Sequence, residues 1–235
     1  MKRLVLVAAA SALSLFGAAA HANTTIDTTP FWDGSSSIQP FGSPDTAVYG
    51  ETFVAPGGNL LDYTFYVSTP TDLNVVGEVY AWSGNLLGGN YPQGAVGPAL
   101  FTSAAFTIVG GDSGFQAVTV NTGGLALATG QQYVALLHDT DNANLFSTGV
   151  WGDLLYSHPG VAGDGGFNFY NINTNNQGAL NGGVWDDFAD FGSSAWTAHF
   201  AGGVPEPAEW ALMVLGFGAA GASLRARKRA AAATA

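Results

Sequence analysis

A chain of 235 residues with 47% hydrophobic, 12% aromatic and 10% charged residues carries enough apolar surface to bury a core and falls outside the disordered class. The absence of cysteine excludes disulfides, thiolate catalysis and cysteine-based zinc sites. All six Lys and Arg lie at the two ends, so residues 23–203 hold fifteen acids and no cationic partner of those types; a body of that sign repels phosphate backbones and excludes nucleic acid as a partner.

At the N-terminus, Lys2 and Arg3 precede an apolar stretch from Leu4 to about Phe16, then small residues and Ala20-His21-Ala22. This order is that of a secretory signal peptide with an A-x-A cleavage site. The apolar stretch is shorter than the roughly 20 residues a stable membrane span needs. Residues 1–22 are therefore expected to form a signal helix removed by signal peptidase, with the mature chain starting at Asn23.

Residues 23–203 read as one domain whose apolar period is two. "LDYTFYV" places Leu61, Tyr63, Phe65 and Val67 on one face, and "NVVGEVYAW", "AAFTIV", "FQAVTV", "QQYVALLH", "GFNFYNI" and "AWTAHF" follow. Paired glycines fall between these runs at Gly57-Gly58, Gly88-Gly89, Gly110-Gly111, Gly123-Gly124, Gly165-Gly166 and Gly182-Gly183, where glycine supplies the positive φ of tight turns. Short strands, frequent turns and no amphipathic helix predict an all-β antiparallel β-sandwich, jelly-roll-like. No repeat of 20 to 50 residues marks a propeller or solenoid.

Catalytic motifs are sparse in this body. Gly111-Asp112-Ser113-Gly114 superficially resembles the nucleophile loop of chymotrypsin-like proteases, but His138, His158 and His199 all follow it, against the order of that family; it reads as a Gly-rich turn. Glycoside hydrolysis needs two carboxylates, and the body has Glu51 and Glu78 as its only Glu residues. Glu51 is expected on a solvated edge and Glu78 at an outward strand position, leaving hydrolysis by Asp/Glu pairs the weakest of the functional readings. With no Lys or Arg nearby, the carboxylates must be solvated, accept backbone hydrogen bonds or hold a cation such as calcium. Asp139 and Asp141 in "DTDNAN", Asp186 and Asp187 in "WDDFADF" and Asp164 in "GDGG" are the candidate calcium ligands, although the EF-hand spacing fails at Ala143 and Asn144. His138 and His158 are expected at or near the surface rather than as ligands. Trp32, Trp82, Tyr91, Trp151, Tyr156, Tyr170 and Trp185 lie in or beside loops rich in Asn, Asp and Gly. Exposed rings there would stack on sugars, a lectin-like arrangement, whereas rings turned inward would fill the core. Trp196 alternates with Ala198 and Phe200 and is expected in the core.

The chain closes with "VPEPAEWALMVLGFGAAGASLRARKRAAAATA". Residues 204–207 form a Pro-punctuated linker. The fifteen-residue apolar run 210–224 would make a helix of about 22 Å against a hydrocarbon core of roughly 30 Å. Arg225, Arg227, Lys228 and Arg229 follow, and such a cluster holds that end of a membrane segment in the cytoplasm. Residues 230–235 are an Ala-rich tail.

Pro205-Glu206-Pro207-Ala208-Glu209-Trp210-Ala211, the apolar run and the basic cluster together resemble the PEP-CTERM sorting signal in its PEPxxWA variety, over residues 204–229. The sorting residues by this resemblance are Pro205, Glu206, Pro207, Trp210 and Ala211. The family's tails also go under the name ice-binding protein C-terminal domain, which says nothing of ice here. The resemblance implies an exported protein transiently held in the inner membrane, processed by exosortase, and placed at the cell surface or in an exopolysaccharide or biofilm matrix. The expected function is thus a non-enzymatic surface protein. A lectin-like module for extracellular polysaccharide, with or without calcium, is the alternative.

Overall fold

The computed structural model describes residues 23–42, 46–86, 94–111, 114–140, 149–170, 185, 192–202, 215, 217, 218, 221 and 225. The chain divides into two compact units, one formed by residues 21–203 and the other by residues 1–20 and 204–235. In the second unit the described residues Leu215, Phe217, Gly218, Gly221 and Arg225 are helical. Among the described residues no helix is long and apolar enough to cross a membrane.

The larger unit is all-β and contains two six-stranded antiparallel sheets. The first sheet holds β1 (Thr24–Asp27), β2 (Ser37–Phe41), β4 (Asn59–Ser68), β8 (Gln116–Ala126), β10 (Gly149–Gly152) and β12 (Trp196–Ala201). The second holds β3 (Val48–Val54), β5 (Leu73–Ser83), β6 (Gly94–Thr102), β7 (Phe106–Ile108), β9 (Gln132–Asp139) and β11 (Asp164–Tyr170). A 3-10 turn, Thr29–Phe31, joins β1 to β2. Strand β4 is the hub of the first sheet: β8 lies along one edge, while β12 and then β10 share the other.

Each predicted run overlaps a strand among the described residues. Period-two alternation puts every second side chain on the same face, and one apolar cluster gathers those faces from both sheets, making the unit sandwich-like. Phe65 of β4 lies between Trp151 at 4.4 Å and Trp196 at 5.9 Å, and Phe53 of β3 meets Trp196 and Phe200 from the opposite sheet. Trp196 is buried in this core as expected.

Three local expectations need correction. Leu60 rather than Leu61 takes the inward position, and Leu61 is 39% exposed, because the β4–β8 register shifts between Leu60 and Asp62. That shift uses Gly123 and Gly124, both at positive φ inside β8, so this glycine pair makes an irregularity in a ladder and not a turn. Gly165-Gly166 likewise lies inside β11, at the shift between Asp164 and Phe167.

The close approach of the sheets depends on Gly77. A Cβ there would sit 2.5 Å from Val120 and 2.7 Å from the Tyr63 hydroxyl. That space lets Tyr63 of the first sheet donate across the core to the backbone carbonyls of Leu136, at 2.9 Å, and Glu78, at 3.2 Å, in the second. We expect Tyr63→Phe to lower stability by about 1–2 kcal/mol through the lost hydrogen bond. Gly77→Ala is expected to lower it by roughly 1–3 kcal/mol through overpacking. Urea denaturation of the two variants checks both values, and an unchanged midpoint in either would contradict this account of the inter-sheet contact.

Candidate functional site

Polar chemistry collects in the core, on the far face of the second sheet and on the outer face of the first. The core group starts from β3, whose "VYGETFV" puts Glu51 in phase with Tyr49 and Phe53 and so turns it inward. Glu51 is fully buried, which corrects the expected solvated edge. Its Oε2 accepts the Ser194 backbone N–H at 2.8 Å. The charge of Asp164, which opens β11 opposite Phe53 of β3, acts on Glu51, whose Oε1 has no hydrogen-bond partner among the described residues. Asp164 accepts the Trp196 indole N–H at 2.9 Å through Oδ1 and the Ser193 hydroxyl at 2.8 Å through Oδ2. His158 Nδ1 stands 3.4 Å from that same hydroxyl. Asp153, also fully buried, accepts the Leu155 N–H at 2.7 Å.

A buried carboxyl beside another acid is disfavoured in its charged form. Burial raises Glu51 well above the ordinary carboxylate range, and the negative charges of Asp164 and Asp153 add to this. Burial also raises Asp164, but the Trp196 and Ser193 donors, His158 and Glu51 all favour its ionised form. Glu51 therefore favours its protonated form. Burial alone pushes Asp153 up to about 8. Glycosidase carboxyls stand about 5–10 Å apart with room for water or sugar between them. Here Glu51 has no surface for water or sugar to reach, and its burial favours the protonated form.

Glu78 points away from Glu51, onto the other face of the second sheet, in the outward position expected but buried there. It receives the hydroxyls of Thr102 at 3.3 Å and Tyr80 at 3.4 Å, and His138 Nδ1 lies 3.4 Å from Oε2. His138 is thus buried, contrary to the surface expectation, whereas His158 is exposed. Burial and the Glu78 charge push the Tyr80 phenol up to about 12. Trp82 and Trp185 meet edge to face at 5.5 Å in a second apolar cluster on this face.

The outer face of the first sheet carries the third group. Trp32 lies on the backbone of Gly152, where a Cβ would come within 2.9 Å of its ring. The indole N–H donates to the Ser36 carbonyl at 2.7 Å. Tyr66 and Phe115 flank the ring with centroids at 5.3 and 5.0 Å, and all three side chains keep part of their surface.

The structure therefore separates the candidate glycan-binding aromatics. Trp82, Trp151 and Trp185 are buried, whereas Trp32 and Tyr156 reach the surface; Tyr91 and the Tyr170 side chain lie outside the described residues. Tyr156 is 70% exposed, on a loop where it and Leu155 both take positive φ. Asp139 is a buried strand residue rather than a loop ligand, while Asp141, Asp186 and Asp187 fall outside the described residues. Among the described residues no group of three or more His, Asp or Glu side chains could hold a metal ion. The sorting residues Pro205, Glu206, Pro207, Trp210 and Ala211, and Arg227, Lys228 and Arg229, also fall outside; Arg225 is helical.

No family model, no curated protein and no solved structure matches the chain.

The buried acids set the pH response. An acid whose folded pKa exceeds its unfolded value keeps a proton that the unfolded chain has released. Its stabilising contribution is complete below about pH 4 and is lost as pH rises through the folded value, about 8 for Asp153. Urea midpoints should therefore fall between pH 5 and pH 9, by up to about 1.4 kcal/mol per pH unit for each retained proton. Glu51→Gln, which can still accept from Ser194 but has no proton to release, should match the parent near pH 5, exceed it near pH 9 and show a shallower slope. A stability profile rising from pH 5 to 9, or an unchanged slope in Glu51→Gln, would contradict the retained proton.

Proposed function

We propose that this chain is an exported, non-enzymatic surface or matrix protein, sorted through its C-terminal segment. The single observation that carries this reading is the order of Pro205-Glu206-Pro207, Trp210-Ala211, the apolar run and the Arg225–Arg229 basic cluster, behind an N-terminal stretch with the form of a signal peptide. In this reading signal peptidase frees Asn23, the segment 204–229 rests in the inner membrane as a short helix, and exosortase removes or exchanges it. The body then joins the cell surface or an exopolysaccharide matrix. The compact unit at residues 21–203 supports the reading, since its limits fall close to the two processing regions. Its two antiparallel sheets around one core suit a jelly-roll-like sandwich that folds without disulfides. The burial of Glu51 in the carboxyl pair supports a body without hydrolytic chemistry.

Intact mass spectrometry of the protein from its producing cells tests this. The expected species begins near Asn23 and lacks the apolar run and basic cluster, and replacing Pro205-Glu206-Pro207 with Ala abolishes the C-terminal processing. A membrane-bound species that keeps residues 210–229 in both forms would show a plain anchor and overturn the sorting reading.

A further inference from the structure

We infer that the outer face of the first sheet, from the Trp32–Tyr66–Phe115 cluster along β4, is a binding track for an uncharged polysaccharide. The track begins with an aromatic floor that is fixed before any ligand arrives. Gly152 lets the Trp32 ring settle on the sheet, the Ser36 carbonyl holds its N–H, and Tyr66 and Phe115 brace its sides. A ring held in this way costs little further ordering when a ligand stacks on it. Phe31, 58% exposed, is the neighbouring residue in the chain.

From Tyr66 the outward positions of β4 continue through Thr64, itself buried between its neighbours, to Asp62, about 13 Å at roughly 3.3 Å per residue. Thr119 and Asn121 of β8 pair with Thr64 and Asp62 on one side, and Thr197 and His199 of β12 pair with them on the other. Thr64 and Thr119 share a hydrogen bond of 2.8 Å, and Asp62 meets His199 Nδ1 at 2.6 Å. The face thus runs from aromatic rings to a row of hydroxyl, amide and carboxylate groups. Sugars present the same two chemistries, an apolar C–H face and a rim of hydroxyls. A purely apolar protein partner would leave the polar half of the row unpaired, at a cost.

Charge fixes the class of glycan. Residues 23–203 contain no Lys or Arg, and the histidine on this face is already engaged by Asp62. A uronate or sulfate polymer would meet a field of its own sign with no guanidinium or ammonium to pair with. An uncharged hexose polymer meets no such barrier.

Affinity electrophoresis of the full-length chain tests the track, run in a polyoxyethylene detergent so that no sugar headgroup competes. The gels contain a soluble β-glucan, a galactomannan, dextran or polygalacturonate. At least one neutral polymer should retard the protein, and polygalacturonate should not. Trp32→Ala should weaken the interaction about tenfold or more, the ratio that corresponds to roughly 1.4 kcal/mol. Thr119→Glu, an exposed substitution in the middle of the row that also removes the hydroxyl paired with Thr64, should weaken it while the protein still unfolds in one cooperative transition, which guards against loss of fold in the Trp32 variant. Absence of retardation by every neutral polymer, equal retardation by polygalacturonate, or wild-type binding by folded Thr119→Glu would each overturn the inference. Binding here does not depend on tail processing, so its failure leaves the sorting reading untouched.

Discussion

A body with fifteen carboxyl groups and no lysine or arginine has to hold each acid by some other means, and much of its polar architecture follows from that constraint. Some carboxylates take backbone N–H groups: Asp33 those of Ser35 and Ser36, Asp27 that of Thr29 and Asp72 that of Gly110. For Asp33 these donors depress the pKa well below the usual carboxylate range, the Ser36 backbone N–H contributing most. Others stand beside histidine, Asp62 with His199 Nδ1 at 2.6 Å and Glu78 with His138 Nδ1 at 3.4 Å. Glu51 accepts the Ser194 N–H and, fully buried, also favours its protonated form.

The bonds around Glu51 and Asp164 join three parts of the chain. Glu51 belongs to β3, Asp164 opens β11, and Ser193, Ser194 and Trp196 bring in the approach to β12 in the opposite sheet. Thr28 reaches the same stretch, donating its hydroxyl to the Ser194 carbonyl at 2.6 Å and accepting the Trp196 N–H at 3.0 Å. A polar seam of this kind is favourable only when its members are satisfied, because an unpaired buried charge is costly. Protonation of Glu51 removes the charge that would otherwise be buried here. With the Tyr63 bridge at Gly77, the seam gives the two sheets specific contacts in addition to the non-directional burial of aromatic rings.

The outer faces differ for a related reason. In the second sheet the far face buries Tyr80, Trp82 and Trp185 together with Glu78 and His138. The first sheet keeps its outer face polar along β4, with one aromatic cluster at the end where the loop before β2 returns over Gly152. One face is an additional packing surface and the other remains open to a ligand.

The sequence by itself determined the class of the body: period-two alternation and glycine punctuation specify antiparallel strands, because those patterns depend only on local geometry. It also contained the phase of Glu51 with Tyr49 and Phe53, a legible sign of an inward carboxyl that charge alone argued against. Loops rich in Asn, Asp and Gly could not show which tryptophans face water, since Trp82, Trp151 and Trp185 are turned inward by contacts far away in sequence. The swap of Leu60 for Leu61 likewise needed the β4–β8 register. Only the tertiary structure decided that Asp164 would reach Glu51 from 113 positions away, and that Trp32 would find Gly152 beneath it. Local alternation sets which way a side chain points, but the neighbour it meets is fixed by strand pairing between distant segments, which no short stretch of sequence encodes.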